Sequence, residues 1–142
     1  MHTIVKRLHF CYGHRLLDYN GKCARPHGHN GVIEVELWSQ TLDHRGMVFD
    51  FTDVKTQLGE FIDAELDHRM LLRQDDPLVP ALQQLGEIPY IMDVNPTAEN
   101  ISKLIFSEAN ARELPIAAVR LWETPDAFAE YREGGLNADL EA

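Results

Sequence analysis

The chain has little cysteine: Cys11 and Cys23 are its only two thiols in 142 residues. Two cysteines cannot build the disulfide framework of a small secreted domain, and in a reducing compartment a thiol serves as core, ligand or nucleophile. Basic residues are scarce as well. Thirteen Lys and Arg stand against 23 Asp and Glu, a net charge of −10, which argues against nucleic acid or an anionic membrane as a partner held by charge. No apolar run approaches the ~18 residues of a membrane span. The N-terminal stretch Met1 to Arg7 lacks the apolar stretch of a secretion leader, so the expected compartment is the cytoplasm. Repeats and low-complexity tracts are also missing.

With 44% hydrophobic and 25% charged residues, the composition is that of an ordinary globular protein, and its length suits one domain over residues 1–142 with a core that needs no staple. Residues 2–10 read as a first strand. Residues 11–30, with three Gly, one Pro and two Asn, read as a long connection. Ile33, Val35 and Leu37 alternate with Glu34 and Glu36, the pattern of a half-buried antiparallel strand over 31–39. Asp43-His44-Arg45-Gly46 reads as a turn, and Met47 to Phe51 as its returning hairpin strand. A helix follows, capped by Thr52 with Asp53 in its first turn and Val54, Leu58, Phe61, Ile62 and Leu66 along one face. Residues 73–96 hold four prolines and read as a loop. A second helix begins at the cap Thr97, with Ile101, Leu104, Ile105 and Ala109 as its stripe. Val119, Leu121 and Glu123 form one face of a last strand, and residues 133–142 a loose acidic tail. The predicted fold is α+β, two helices on one face of an antiparallel sheet.

Histidine is the residue in which the chain is rich, with seven. His27-Gly28-His29 places two imidazoles on one side of an extended segment, and His14 is available as a third. Three neutral nitrogens with a fourth position open suit a catalytic zinc; solvated loop histidines are the other reading. Cys23, four residues before His27 and flanked by Lys22 and Arg25, is open to two roles: a fourth ligand closing a structural site, or a free thiol made acidic by its cationic neighbours. Cys11 reads as a small buried hydrophobe. Asp67-His68 has the form of a carboxylate-oriented proton shuttle, although His also suits a helix C-terminus on dipole grounds. Glu123 sits on the apolar face of its strand, where a carboxylate must find donors. Paired N–H groups of a flat heterocycle are one source and solvent at a sheet edge is another.

Taken together, His14-Arg15-Leu16, Gly21-Lys22-Cys23 before His27-Gly28-His29-Asn30, Gly46 to Phe51, Leu66-Asp67-His68, Pro96 to Asn100 and Trp122-Glu123-Thr124 resemble the 6-pyruvoyltetrahydropterin synthase / 6-carboxytetrahydropterin synthase family. The three-residue spacing from Cys23 to His27 is similar to the queuosine-pathway branch. The resemblance implies the tunnelling fold, a four-stranded antiparallel sheet carrying two helices. It further implies a homo-oligomer of trimers, as a hexamer, with active sites at subunit interfaces. By the same resemblance, His14, His27 and His29 hold Zn2+, Cys23 is the catalytic thiol, Asp67 and His68 form a second proton-transfer pair, and Glu123 anchors the pterin ring. Lys22 and Arg25 are then the nearest partners for the phosphates. The implied reaction converts 7,8-dihydroneopterin triphosphate to 6-carboxy-5,6,7,8-tetrahydropterin with release of acetaldehyde and triphosphate. The alternatives are triphosphate elimination to the 6-pyruvoyl product and a noncatalytic, zinc-stabilised module. The chain departs from the family pattern at Tyr12, where a small residue is usual.

Overall fold

The computed structural model describes residues 1–133; the expected tail over 133–142 lies, but for its first residue, outside the described residues. Chain order is β1 (His2–His14), β2 (His27–Ser39), α1 (Phe51–Phe61), β3 (Arg69–Arg73), α2 (Leu78–Gln84), β4 (Tyr90–Met92), α3 (Ala98–Ala111), β5 (Ile116–Thr124) and β6 (Ala127–Arg132). A short 3-10 turn, Lys22–Ala24, precedes β2, and a π-helical turn, Ile62–Leu66, prolongs α1.

The α+β class holds, but among the described residues the sheet has six strands in the order β4-β3-β1-β2-β5-β6, not four, and three helices accompany it. It is mixed: β1, β2, β5 and β6 run antiparallel, whereas β3 lies parallel to the end of β1 and β4 parallel to β3. Three differences from the sequence reading bear on the site. First, the 11–30 connection is shorter than expected. Strand β1 continues to His14 and β2 begins at His27, paired residue for residue from His2↔Ser39 to His14↔His27. Second, residues 47–51 do not return as a hairpin, because both edges of β2 are taken by β1 and β5. Val48 and Phe49 instead pack on the core from a loop. Third, the 73–96 segment contains α2 and β4, pieces too short to show a periodicity.

Alternation on β2 buries Ile33, Val35 and Leu37 against Leu8 and Phe10 of β1 and Val119 and Leu121 of β5. Val54, Leu58, Phe61, Ile62 and Leu66 close this face from α1 and its π turn, and Ile101, Ile105 and Ala109 from α3. Leu104 of the expected stripe is only partly buried against the core. The N-cap of α1 is Asp50, whose carboxylate accepts the Thr52 N–H at 2.8 Å, so Thr52 lies inside the helix. Thr97 caps α3 as expected, accepting from Asn100 N–H at 3.1 Å.

Candidate metal centre

The core face of the sheet changes chemistry at one end. Register pairs His14 with His27 and Tyr12 with His29, and two-residue alternation turns all four side chains to the side that buries Phe10 and Ile33. One ring nitrogen from each of His14, His27 and His29 lies within 4.8 Å of the others. His14 Nδ1 faces the Pro96 carbonyl at 2.6 Å and His27 Nδ1 faces the Arg25 carbonyl at 2.7 Å. A carbonyl only accepts, so each Nδ1 donates and each Nε2 keeps its lone pair, the tautomer that backbone partners impose on metal-binding histidines. His14 Nε2 and His29 Nε2 are buried with no hydrogen-bond partner among the described residues. Burial holds His14 below its ordinary value, against the Pro96 bond and the Glu123 charge, so the ring is neutral. Three converging imidazole nitrogens, two of them orphaned, fit a metal ion with nitrogen preference.

Pro96 reaches His14 because the turn before α3 is tied to the segment after β1. Asn95 exchanges two hydrogen bonds with the Leu17 backbone at 3.0 and 2.8 Å, and Asn100 Nδ2 donates to the Asn95 carbonyl at 2.9 Å. Arg15, next to His14, makes a two-pronged pair with the fully buried Asp76 at the start of α2.

Glu123, at the end of β5, comes to this cluster. Its oxygens lie 3.7 Å from His14 Nε2 and 3.8 Å from His29 Nε2. Tyr12 Oη donates to Oε1 at 3.2 Å. Burial and then the Glu123 charge push the phenol far above its ordinary value, which keeps it the donor. Sequence reasoning marked Tyr12 only as a departure; an aromatic two residues before a ligand on the same strand face was the available signal.

Cys23 lies on the 3-10 turn as a half-buried free thiol and, among the described residues, stands outside the metal-ligand group. Lys22 and Arg25 are exposed beside it and, among the described residues, form no ion pair. Asp67 and His68 are brought together at the outer edge of β1. Asp67 Oδ1 accepts from Cys11 N–H at 2.9 Å, His68 Nδ1 meets Asp67 Oδ2 at 2.8 Å, and His68 N–H donates to the Cys11 carbonyl at 2.6 Å. Burial pushes the Asp67 carboxyl up, but the Cys11 N–H and the His68 ring outweigh it and hold Asp67 below the usual carboxylate range. His68 takes a positive φ of 59°, a strained backbone for a non-glycine residue and one that recurs at working sites. Its ring is exposed and lines a shallow depression of about 590 Å³ with Cys11, Gly28, Asn30 and Met70. Cys11 is thus not fully buried: its thiol donates to Asn30 Oδ1 at 2.8 Å on that wall.

A family model described as 6-pyruvoyl tetrahydropterin synthase matches residues 3–134. A 6-carboxy-5,6,7,8-tetrahydropterin synthase of Rickettsia conorii is 34% identical, covering 89% of this chain and 96% of that protein. One from Haemophilus influenzae is 33% identical over 94% of this chain and all of its own length. Among solved structures, an uncharacterized protein of Wolinella succinogenes superposes with TM-score 0.74 at 28% identity, covering 93% of this chain and 98% of the other. The 6-pyruvoyl tetrahydropterin synthase of Caenorhabditis elegans shares the fold, with TM-score 0.67 at 23% identity, over 92% and 94% of the two chains. No helix among the described residues is long and apolar enough to cross a membrane.

Proposed function

We propose, from the premise that the chain belongs to the 6-pyruvoyl tetrahydropterin synthase family, that this enzyme of the pterin synthase type converts 7,8-dihydroneopterin triphosphate and one water to 6-carboxy-5,6,7,8-tetrahydropterin, releasing acetaldehyde and triphosphate. The reaction serves queuosine and 7-deazaguanine synthesis in the cytoplasm, and residues 1–142 act as one domain. The observation that carries the reading is the pair of buried, unpartnered Nε2 atoms converging with His27, in a chain whose relatives are 6-carboxytetrahydropterin synthases.

The proposed ligands His14, His27 and His29 suit zinc, which when bound supplies Lewis acidity toward the hydroxyls of the substrate side chain. Glu123 accepts paired N–H groups from the edge of the pterin ring. Cys23, outside the ligand group among the described residues, is left to act as a proton-transfer thiol on the side-chain carbon. His68, oriented by Asp67, moves a proton on the opposite side. Lys22 and Arg25 meet the triphosphate, a local positive charge in a chain of −10.

A homo-oligomer of trimers, assembling to a hexamer, completes the site. β3 covers only Tyr12–His14 of the outer edge of β1, and β6 ends the sheet. Among the described residues both edges are left open, which assembly edge to edge resolves. His68 lines a depression with Cys11 and Asn30 that also takes in Tyr12, His27 and His29. In the proposed assembly its exposed ring reaches toward a substrate held by a neighbouring copy.

The test is incubation of the zinc-loaded protein with 7,8-dihydroneopterin triphosphate and mass spectrometry of the product. The 6-carboxy product supports the reading. The 6-pyruvoyl product, the one named in the description of its family, moves the chain to triphosphate elimination, and no product removes the function. Cys23→Ala is expected to keep stoichiometric zinc and lose turnover; loss of zinc would make Cys23 a ligand.

A further inference from the structure

Tyr12 holds no metal and moves no proton in the reaction outlined above, yet its side chain spans three strands. It starts on β1, passes β2 at Gly31 and ends at Glu123 on β5. Phe10 pairs with Gly31, and the Val32↔Trp122 pair sets Gly31 beside Glu123. The Tyr12 ring stacks on Phe10 with centroids 4.7 Å apart and planes 16° apart. A Cβ at Gly31 would come within 3.0 Å of both rings, so the missing side chain is the gap through which the phenol crosses. Its edge also faces the cluster, with ring centroids 5.2 Å from His14 and 5.6 Å from His29.

The hydroxyl at the end of this bridge is the one hydrogen-bond donor on Glu123 among the described residues, at 3.2 Å. Without it, the carboxylate stands 3.7 and 3.8 Å from two of the cluster's ring nitrogens, with no other hydrogen bond among the described residues to hold it back from a metal bound there. A carboxylate that close to two imidazoles of a three-histidine cluster is itself a good zinc ligand. It would take the open coordination position that the substrate hydroxyls need.

We propose that Tyr12 is a positioning residue: crossing over Gly31, its hydroxyl tethers Glu123 outside the metal's open position and leaves that carboxylate for the substrate ring. Only the last clause rests on the pterin reading; the tether stands on the cluster alone.

Cobalt(II) in place of zinc makes the coordination visible, because its visible absorption changes when a carboxylate joins three imidazoles. Tyr12→Phe keeps the ring stack and removes only the hydroxyl. The cobalt protein is expected to bind one equivalent of metal, to show an altered visible band, and to bind biopterin about tenfold more weakly than wild type, the loss of one hydrogen bond to a charged group. In a Glu123→Gln background the same change should leave the band unmoved, since the competing ligand is gone. A band unaltered by Tyr12→Phe alone overturns the tether, and so does a band still altered in the Glu123→Gln background. An altered band in a protein whose wild type binds no biopterin keeps the tether and removes the pterin reading instead.

Discussion

Two ends of one sheet face obey opposite rules. In the middle, Ile33, Val35, Leu37, Val119 and Leu121 are fully buried and apolar. At the end, the same strands and the same alternation carry Tyr12, His14, His29 and Glu123, and two ring nitrogens are buried with no partner. A buried unsatisfied polar group costs about 1–3 kcal/mol. The apolar end is organised for stability; the histidine end gives stability up to hold something that completes it.

The sharpest break in this comparison comes from His29→Ala. Turnover should fall by about a thousandfold or more, as metal leaves with one of three ligands, while the metal-free protein melts within a few degrees of wild type; metal analysis and a thermal melt check both. Leu121→Ala should do the reverse. Stability measured in urea falls by about 3 kcal/mol, and metal stoichiometry stays.

The Arg15–Asp76 pair joins the residue just after His14, past the end of β1, to the segment that precedes α2. Asp76→Ala leaves Arg15 without its buried partner and should cost about 3 kcal/mol. The Arg15 guanidinium holds the Asp76 carboxyl below the usual range. Its contribution is therefore present above the unfolded carboxylate value, about 3.9, and is lost as pH falls below that toward the folded value. Asp76→Asn should flatten that acid limb of the stability curve. The smallest effect on stability is expected from chelation. Because the apolar end needs no metal, the protein should stay folded and inactive with a modestly lower Tm. Global unfolding on chelation would instead identify a module built around its metal.

Legibility in the sequence followed locality. Ile33, Val35 and Leu37 announced their strand, Val54 through Leu66 their helix face, and Thr97 its cap, because each signal is confined to a few neighbouring residues. His27-Gly28-His29 was visible for the same reason. Asp50 was missed as a cap because Thr52 competes for that role in sequence. The stretch from Met47 to Phe51 imitated a strand because Val48 and Phe49 are apolar for core contact, not for pairing. β3 and β4, of five and three residues, are too short for period-two patterning, and their parallel pairing joins residues far apart in the chain. β6, six residues long, is an edge strand with most side chains exposed, so it shows little apolar alternation.

By itself, the amino-acid sequence determined the acidic balance, the apolar faces and the set of side chains able to bind a metal or carry protons, since composition and short-range periodicity are properties of the chain alone. Tertiary structure decided that His14 meets His27 across a ladder, that Pro96 and Arg25 orient the rings, and that Tyr12 reaches Glu123 over Gly31. Those relations depend on strand register, and register is set by burying one face of the sheet as a whole.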